Sequence, residues 1–197
     1  MLKWWILRVI AKPFLLKEKG TRRALIDAQP KARVRAENGF NELRTHDRAG
    51  NRIDVVEYHP SYHVLMRRAC GAGIHSLAWT RKERGFAARA ALFFLWNQLE
   101  QGTACPVTMT FASIPVFAQA PDLERQWRPK VLANAYDPAA APLARKPGAT
   151  IGMAMTEKQG GSDVRANTTR AVPDGEGYRL TGHKWFCSAA MCDVFLV

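Results

Sequence analysis

The chain changes its hydrophobic period near residue 140, and that change constrains the fold more than any other feature. Before it, apolar residues recur at helical spacing. Pro60-Ser61 opens a segment with Tyr62, Leu65, Met66 and Ala69 on one face, interrupted by Gly71 and Gly73. Gly85 to Gln101 is apolar nearly all round, through Phe86, Ala90, Leu92, Phe93, Phe94, Leu95, Trp96 and Leu99. It is expected inside a helical bundle rather than on its surface, with Gly102 as its C-terminal cap. Cys105 to Ala118 is a third helix with a kink or an end at Pro115, and Asp122 to Ala135 is an amphipathic fourth that starts at a capping Asp.

Residues 137–149 (DPAAAPLARKPGA) hold three prolines and read as a linker. Beyond them the text is that of strands. Thr150 to Met155 and Ala166 to Val172 are expected strands. A turn at Asp174-Gly175-Glu176-Gly177 leads to a partner over Tyr178 to Ser188, and Asp193 to Val197 begins another strand. The expected class is α+β: an N-terminal helical domain, residues 41–149 with the linker, followed by the start of an antiparallel β-domain, residues 150–197. Residues 1–40 form a basic segment without a clear pattern. An unpaired last strand leaves backbone groups without partners, so the chain is expected to be the front portion of a longer protein.

At 47% hydrophobic and 23% charged residues the composition is that of a globular protein, not a disordered tail or a membrane protein. The net charge of +12 suggests nucleic acid until it is mapped, because residues 1–35 carry +8 of it and the remaining 162 residues only +4. The charge argument therefore concerns the N-terminal tail and not the body, and a basic tail is usually just solvated. Cys70, Cys105, Cys187 and Cys192 form no CxxC pair, which speaks against zinc and for reduced thiols in a cytoplasmic protein. The run MLKWWILRVIAKPFLL is broken by Arg8, Lys12 and Pro13, short of the roughly 20 apolar residues that a membrane span needs. It lacks a cleavage site of secretory type, although an organelle-targeting segment stays open.

Two stretches carry chemistry. Gly152-Met153-Ala154-Met155-Thr156-Glu157-Lys158-Gln159-Gly160-Gly161-Ser162-Asp163 follows a strand directly, with adjacent glycines that allow close backbone approach and hydroxyls at Thr156 and Ser162. By residue type it suits a phosphate or a cofactor, or is an ordinary glycine-rich hairpin loop. It is neither a Walker A loop nor a dinucleotide fingerprint. His183-Lys184-Trp185-Phe186-Cys187-Ser188 sets a planar aromatic three positions before a hydroxyl, which suits a flat heterocycle, although aromatic residues in strands usually serve the core.

Together these stretches resemble the acyl-CoA dehydrogenase superfamily. There a strand ending in Met-Thr-Glu-Pro-x-x-Gly-Ser-Asp leads to one ending in Trp-Ile-Thr/Ser. This chain has Met155-Thr156-Glu157, Gly161-Ser162-Asp163 and Trp185-Phe186-Cys187-Ser188 in that order, with Lys158 where the pattern has proline. The continuation NTTRA and GHKWFxS, with Tyr58-His59-Pro60-Ser61-Tyr62-His63, Leu77-Ala78-Trp79 and Cys105 to Ala112, resembles the AidB-like, alkylation-response branch. The resemblance runs from about Glu42 to Val197.

It implies a helical domain, a middle β-domain and a C-terminal four-helix domain, with FAD between the last two. The implied cofactor-binding residues are Met153, Met155, Thr156, Gly161, Ser162, Trp185, Phe186, Cys187 and Ser188, with Thr156 on the pyrimidine side and Ser188 near flavin N5. Thr156 and Ser162 are the implied substrate-binding residues. The implied reaction is α,β-dehydrogenation of an acyl-CoA thioester: a carboxylate takes the α-proton and flavin N5 the β-hydride. The base belongs to the C-terminal domain, so no catalytic residue is expected in this chain, and Glu157 belongs to the flavin loop. A homotetramer is implied for the whole protein. Two other readings stand beside this one, a DNA-binding flavoprotein of alkylation protection and an inactive fragment. No metal site is expected. His59 and His63 are spaced i, i+4 but have Pro60 between them, and His75 and His183 read as packing histidines. No G-x-S-x-G elbow makes Ser162 a hydrolase nucleophile.

Overall fold

The computed structural model describes residues 42–197, so the basic segment lies outside the described residues. They begin with an antiparallel hairpin, β1 (Glu42–His46) and β2 (Arg52–Glu57). Asp47 builds its turn, its carboxylate accepting from the backbone N–H of Ala49 and Asn51 at 2.8 and 2.9 Å. The sequence pattern did not announce this hairpin, because charged side chains on both exposed faces hide the period of two.

Helices follow: α1 (Pro60–Gly71), α2 (Leu77–Thr80), α3 (Gly85–Leu99), α4 (Ala104–Phe117) and α5 (Pro121–Val131). Proline opens α1, and the His59 ring accepts from the Ser61 N–H at 3.1 Å as its cap. The helix buries Leu65, Met66, Ala69 and Cys70 against Ile74, Trp96 and Val107, which form the first core cluster.

Three sequence expectations are corrected here. Helix α3 buries Gly85, Ala88 and Trp96 but leaves Phe86 and Phe94 exposed, so it lies at the surface with one apolar face uncovered among the described residues. It also ends at an extended Glu100, not at Gly102. The Glu100 carboxylate turns onward to take the Thr103 N–H (2.9 Å), the Thr103 hydroxyl and the Gly102 N–H, and so satisfies the start of α4. Finally, α5 starts at Pro121 after an Ala120 that lends no side-chain cap, with Asp122 in its first turn.

Pro115 sits inside the last turn of α4 without ending it. A proline there orphans the carbonyl four residues back, that of Phe111. The Trp79 indole N–H donates to this carbonyl at 3.0 Å, which accounts for the intact helix. Helices α4 and α5 build the second core from Ile114, Phe117 and Val131, together with Ala149 and Ile151 from the strand side.

The stretch expected as a linker is docked instead. It makes a 3-10 turn at Leu143–Arg145 and buries Lys146, whose ammonium donates to Ala139 O and to Asp193. The β-part is not wholly antiparallel. Strand β3 (Ile151–Met153) pairs in parallel with β6 (Val194–Leu196), and only β4 (Arg170–Asp174) and β5 (Gly177–Thr181) form an antiparallel hairpin. These strands are shorter than the sequence suggested, with residues 164–166 in a 3-10 turn and residues 182–188 outside the hairpin. Gly152 permits the parallel pairing, because a Cβ there would collide with the Phe195 ring. No helix among the described residues is long and apolar enough to cross a membrane.

The strand part is tied to the helices by Thr110, which is buried in α4. Its hydroxyl donates to Pro106 O at 2.8 Å and accepts the Ile151 N–H at 3.1 Å. Thr110→Val keeps the volume and strands that N–H in a buried place. The expected cost is about 1–3 kcal/mol, read as a lower urea midpoint at unchanged slope, with Thr110→Ser close to wild type.

Candidate functional site

At the end of β3 the chain turns outward. Ala154 is buried and its N–H donates to Leu196 O at 2.9 Å, Met155 is exposed, and Thr156 is half-buried. The Trp185 N–H then donates to Thr156 O at 2.9 Å, and Glu157 bridges to Lys184 in antiparallel fashion. The two stretches singled out in the sequence therefore lie side by side. Gly161 folds back over Thr156, where a Cβ would come within 2.8 Å of the Thr156 hydroxyl oxygen. A larger residue at that place would have to displace the Thr156 side chain.

The buried centre of the arrangement is Glu157, 2% exposed. Its Oε1 accepts from Thr169 N (3.0 Å), Thr169 Oγ1 (2.6 Å) and Lys184 Nζ (3.0 Å). Its Oε2 accepts from Thr168 N (2.7 Å), Thr168 Oγ1 (2.9 Å) and Gln159 Nε2 (2.8 Å). These donors favour the ionised form. The Thr169 hydroxyl, with the Thr168 N–H and Gln159 behind it, holds the Glu157 carboxyl far below the usual carboxylate range. Sequence reasoning assigned Glu157 to the loop and missed this role, along with Gln159, Thr168, Thr169 and Lys184. The signal available was one acidic residue between two hydroxyl-rich segments, with a lysine directly before the aromatic stretch.

The outer surface contrasts with this saturated interior. Trp185 is 42% and Phe186 81% exposed, and Met155, Gly161, Ser162, Cys187 and Ser188 are exposed as well. Met153, still on β3, is half-buried. The hydroxyls of Thr156, Ser162 and Ser188 and the Trp185 indole N–H have no protein hydrogen-bond partner among the described residues, whereas the hydroxyls of Thr168 and Thr169 are committed to Glu157. Phe186 and Ala189 hold left-handed backbones, φ +58° and +52°. Such conformations persist where the surroundings impose them. Ser188 and Ala189 also line a cleft whose opposite wall comes from the helical part, at Tyr58, Tyr62, Thr103 and Cys105.

The remaining polar candidates have structural partners. His63 Nδ1 lies 2.8 Å from the Tyr136 hydroxyl, and the His75 Nε2 lies 3.0 Å from Ala133 O with its pKa lowered by burial. Burial pushes the Cys70 thiol up to about 12 and that of Cys192 up to about 11, which leaves both poor nucleophiles. Among the described residues no group of three His, Cys, Asp or Glu side chains could hold a metal ion.

A helical part followed by small sheets is the architecture of acyl-CoA dehydrogenase-like proteins. The apo-form of Bd2924 superposes with TM-score 0.77 at 24% identity, over 95% of this chain and 38% of that one. Caenorhabditis elegans ACDH-11, solved in complex with C11-CoA, superposes with TM-score 0.65 at 22% identity, over 85% of this chain and 32% of its own. Residues 15–138 match the adaptive response protein AidB N-terminal domain, and residues 152–197 match the acyl-CoA dehydrogenase middle domain. The match begins at residue 15, well upstream of the Glu42 boundary that the motifs suggested. The chain is 48% identical over 161 residues to the protein named "Putative acyl-CoA dehydrogenase AidB" of Escherichia coli (strain K12), covering 79% of this chain and 30% of that protein. It is 32% identical over 161 residues to acyl-CoA dehydrogenase family member 11 of Caenorhabditis elegans, covering 78% and 25%. The chain belongs to the AidB branch of the acyl-CoA dehydrogenase family, and it spans less than a third of the length of the Escherichia coli and Caenorhabditis elegans relatives.

The depressed pKa of Glu157 sets a direction for pH dependence. Its contribution is fully present above the ordinary carboxylate value of 4.5 and is lost progressively as pH falls towards the lower folded value. Wild type is expected to unfold at a higher temperature than Glu157→Gln at neutral pH, with the gap narrowing as the buffer is taken from pH 6 to pH 3. A gap independent of pH would show that the carboxylate's charge contributes nothing.

Proposed function

We propose that this chain is the front part of an FAD-dependent oxidoreductase that dehydrogenates an acyl-CoA thioester between its α and β carbons. One observation carries the reading. Two segments are locked together by buried polar contacts, and their outward side keeps an aromatic surface and unpaired donors. A flat, hydrogen-bonding heterocycle is served by such an edge, with aromatic surface beside several hydroxyl donors.

The residues present fit the flavin. Trp185 and Phe186 supply apolar surface at its side, and Thr156, Ser162 and Ser188 supply hydroxyl donors, with Met153, Met155, Gly161 and Cys187 completing the surroundings. When bound, FAD supplies the hydride acceptor. The protein's part is to orient the ring and to direct donors at the negative charge that reduction places on it. Thr156 and Ser162 are the proposed contacts to substrate. A thioester substrate draws support from the family and from the acyl-CoA bound in the Caenorhabditis elegans structure.

Glu157 is unsuited to removing the α-proton. Both of its oxygens are occupied by donors, and its depressed pKa makes it a weak base. The proposal takes the base from the part of the longer relatives that this chain does not span. Assembly into a tetramer and contact with DNA rest on the resemblance alone, which associates DNA binding with the C-terminal region of the family.

The test uses the purified chain incubated with excess FAD and passed over a sizing column. Visible flavin absorption is expected to co-elute with the protein. Trp185→Ala and Ser188→Ala, both at exposed positions, are expected to lower retention severalfold while leaving thermal unfolding within about 0.5 kcal/mol of wild type. A colourless protein that still unfolds cooperatively would remove the flavin reading from this chain.

A further inference from the structure

Apart from the Glu157 carboxylate, the loop from Glu157 to Asp163 is held by Gln159 Nε2 donating to Ala166 O at 3.3 Å and by the Asp163 turn, whose carboxylate accepts from Arg165 N and whose carbonyl accepts from Ala166 N, both at 3.2 Å. Its own backbone contributes one short bridge, between Glu157 and Gly160. Lys158, Gln159, Gly160, Gly161 and Ser162 are all exposed. Where the family pattern has a proline, which would fix one backbone angle, this chain has Lys158, which fixes none. The β4–β5 hairpin downstream is exposed along both strands and has no core of its own to seat it. The aromatic stretch meets the loop at one place along the backbone, where Trp185 N donates to Thr156 O beside the antiparallel bridge of Glu157 with Lys184. Three exposed pieces of chain nonetheless converge on one carboxylate, which collects donors from Gln159, from Thr168 and Thr169, and from Lys184.

We infer that Glu157 is a positioning residue, which fixes the glycine-rich loop and the Trp185–Ser188 stretch against each other through Lys184, Thr168 and Thr169 while touching neither cofactor nor substrate. The inference rests on the flavin reading for what the positioned surface is for, and on geometry alone for the positioning itself. The carboxylate is 1% exposed in its side chain and Lys184 14%, so both charges are withdrawn from water and each depends on the other. Removing one leaves the other buried without its counter-charge, which is more disruptive than removing both. Lys184 directly precedes Trp185, and the left-handed Phe186 follows. An anchor at residue 184 therefore decides where the indole and the Ser188 hydroxyl are presented. With neutral Gln at 157, an amide NH2 faces donors where a carboxylate oxygen had accepted three of them. The loop and the hairpin start are then free to part.

The experiment has two arms. Hydrogen exchange on the purified chain, without cofactor, reads positioning. Glu157→Gln is expected to accelerate exchange about tenfold or more at the amides of Thr168, Thr169 and Trp185, with the amides of α1 and α4 unchanged. Lys184→Met is expected to do the same at Trp185, and Lys184→Arg to restore slow exchange there. FAD titration reads the consequence. Glu157→Gln and Lys184→Met should weaken binding about tenfold or more and alter the shape of the bound-flavin visible spectrum, while Lys184→Arg stays near wild type. Should Glu157→Gln unfold the helices as well, Lys184→Met against Lys184→Arg decides the question. Exchange at Trp185 and Thr169 that is indifferent to Glu157→Gln and to Lys184→Met would overturn the inference. If wild type takes up no FAD while the exchange results stand, the flavin reading fails and the positioning role survives.

Discussion

The contact between Asp193 and the buried Lys146 ties the start of β6 to the stretch that leads from the helices into β3. One Asp193 oxygen takes the Lys146 ammonium, and the other accepts from the Thr150 N–H at 2.8 Å and the Thr150 hydroxyl at 3.3 Å. The Asp193 N–H returns a bond to Thr150 O at 2.9 Å. Lys146 is 3% exposed and also donates to Ala139 O. Taking two charges out of water is costly, so a buried pair persists when its geometry is good and its remaining donors and acceptors are satisfied. Those conditions hold here, and the outcome is a fixed start for both β3 and β6. The stretch between helices and strands is thereby held in place by one of its own side chains.

A second buried carboxylate repeats the principle at the other end of β3. Asp193 sets the register at Ile151, and Glu157 sets the exit. Between them run three residues of strand, short enough that little deviation accumulates. The edge beyond β3 thus takes its position from the apolar packing of Ile151 with Ile114, Phe117 and Val131, to which Thr110 and the two carboxylates add direction. Hydrophobic contacts supply most of the stability in the helical part, where Met66, Ile74, Val107 and Ile114 are buried. Such contacts are non-directional, and hydrogen-bonded carboxylates add the orientation that they lack.

Much of this organisation was legible in the sequence. The helices from Pro60 to Val131 announced themselves by period, and the two stretches around Thr156 and Trp185 by residue type and order. What stayed hidden has physical causes. The β1–β2 hairpin escaped because exposed charges mask its alternation. The stretch 137–149 read as a linker because prolines and alanines carry no period, while its docking depends on Lys146, and one lysine in a basic chain gives no warning of burial. Helix α3 read as central because composition shows how apolar a helix is and not which of its faces finds a partner. The parallel pairing of β3 with β6 joins residues more than forty positions apart, beyond the reach of any local pattern. Glu157 was assigned to the loop for its place in a motif, yet its burial depends on Thr168, Thr169 and Lys184, and only the folded chain brings those together.

The β4–β5 hairpin makes the dependence concrete. A two-stranded hairpin with both faces in water is marginal by itself. Val172, Tyr178 and Leu180 are all exposed, so apolar burial does not place it. Its first strand begins at Arg170, directly after the two threonines held by Glu157, and its second strand leads through Gly182 back to Lys184. Gly182 lies so close to the Thr169 side chain that a Cβ would collide with it. Both ends of the hairpin are thus gathered at one carboxylate, and the loop before it and the aromatic stretch after it leave from the same point. A single acidic side chain at the junction can therefore govern three segments at once, and the surface they form is as well defined as the hydrogen bonds beneath it.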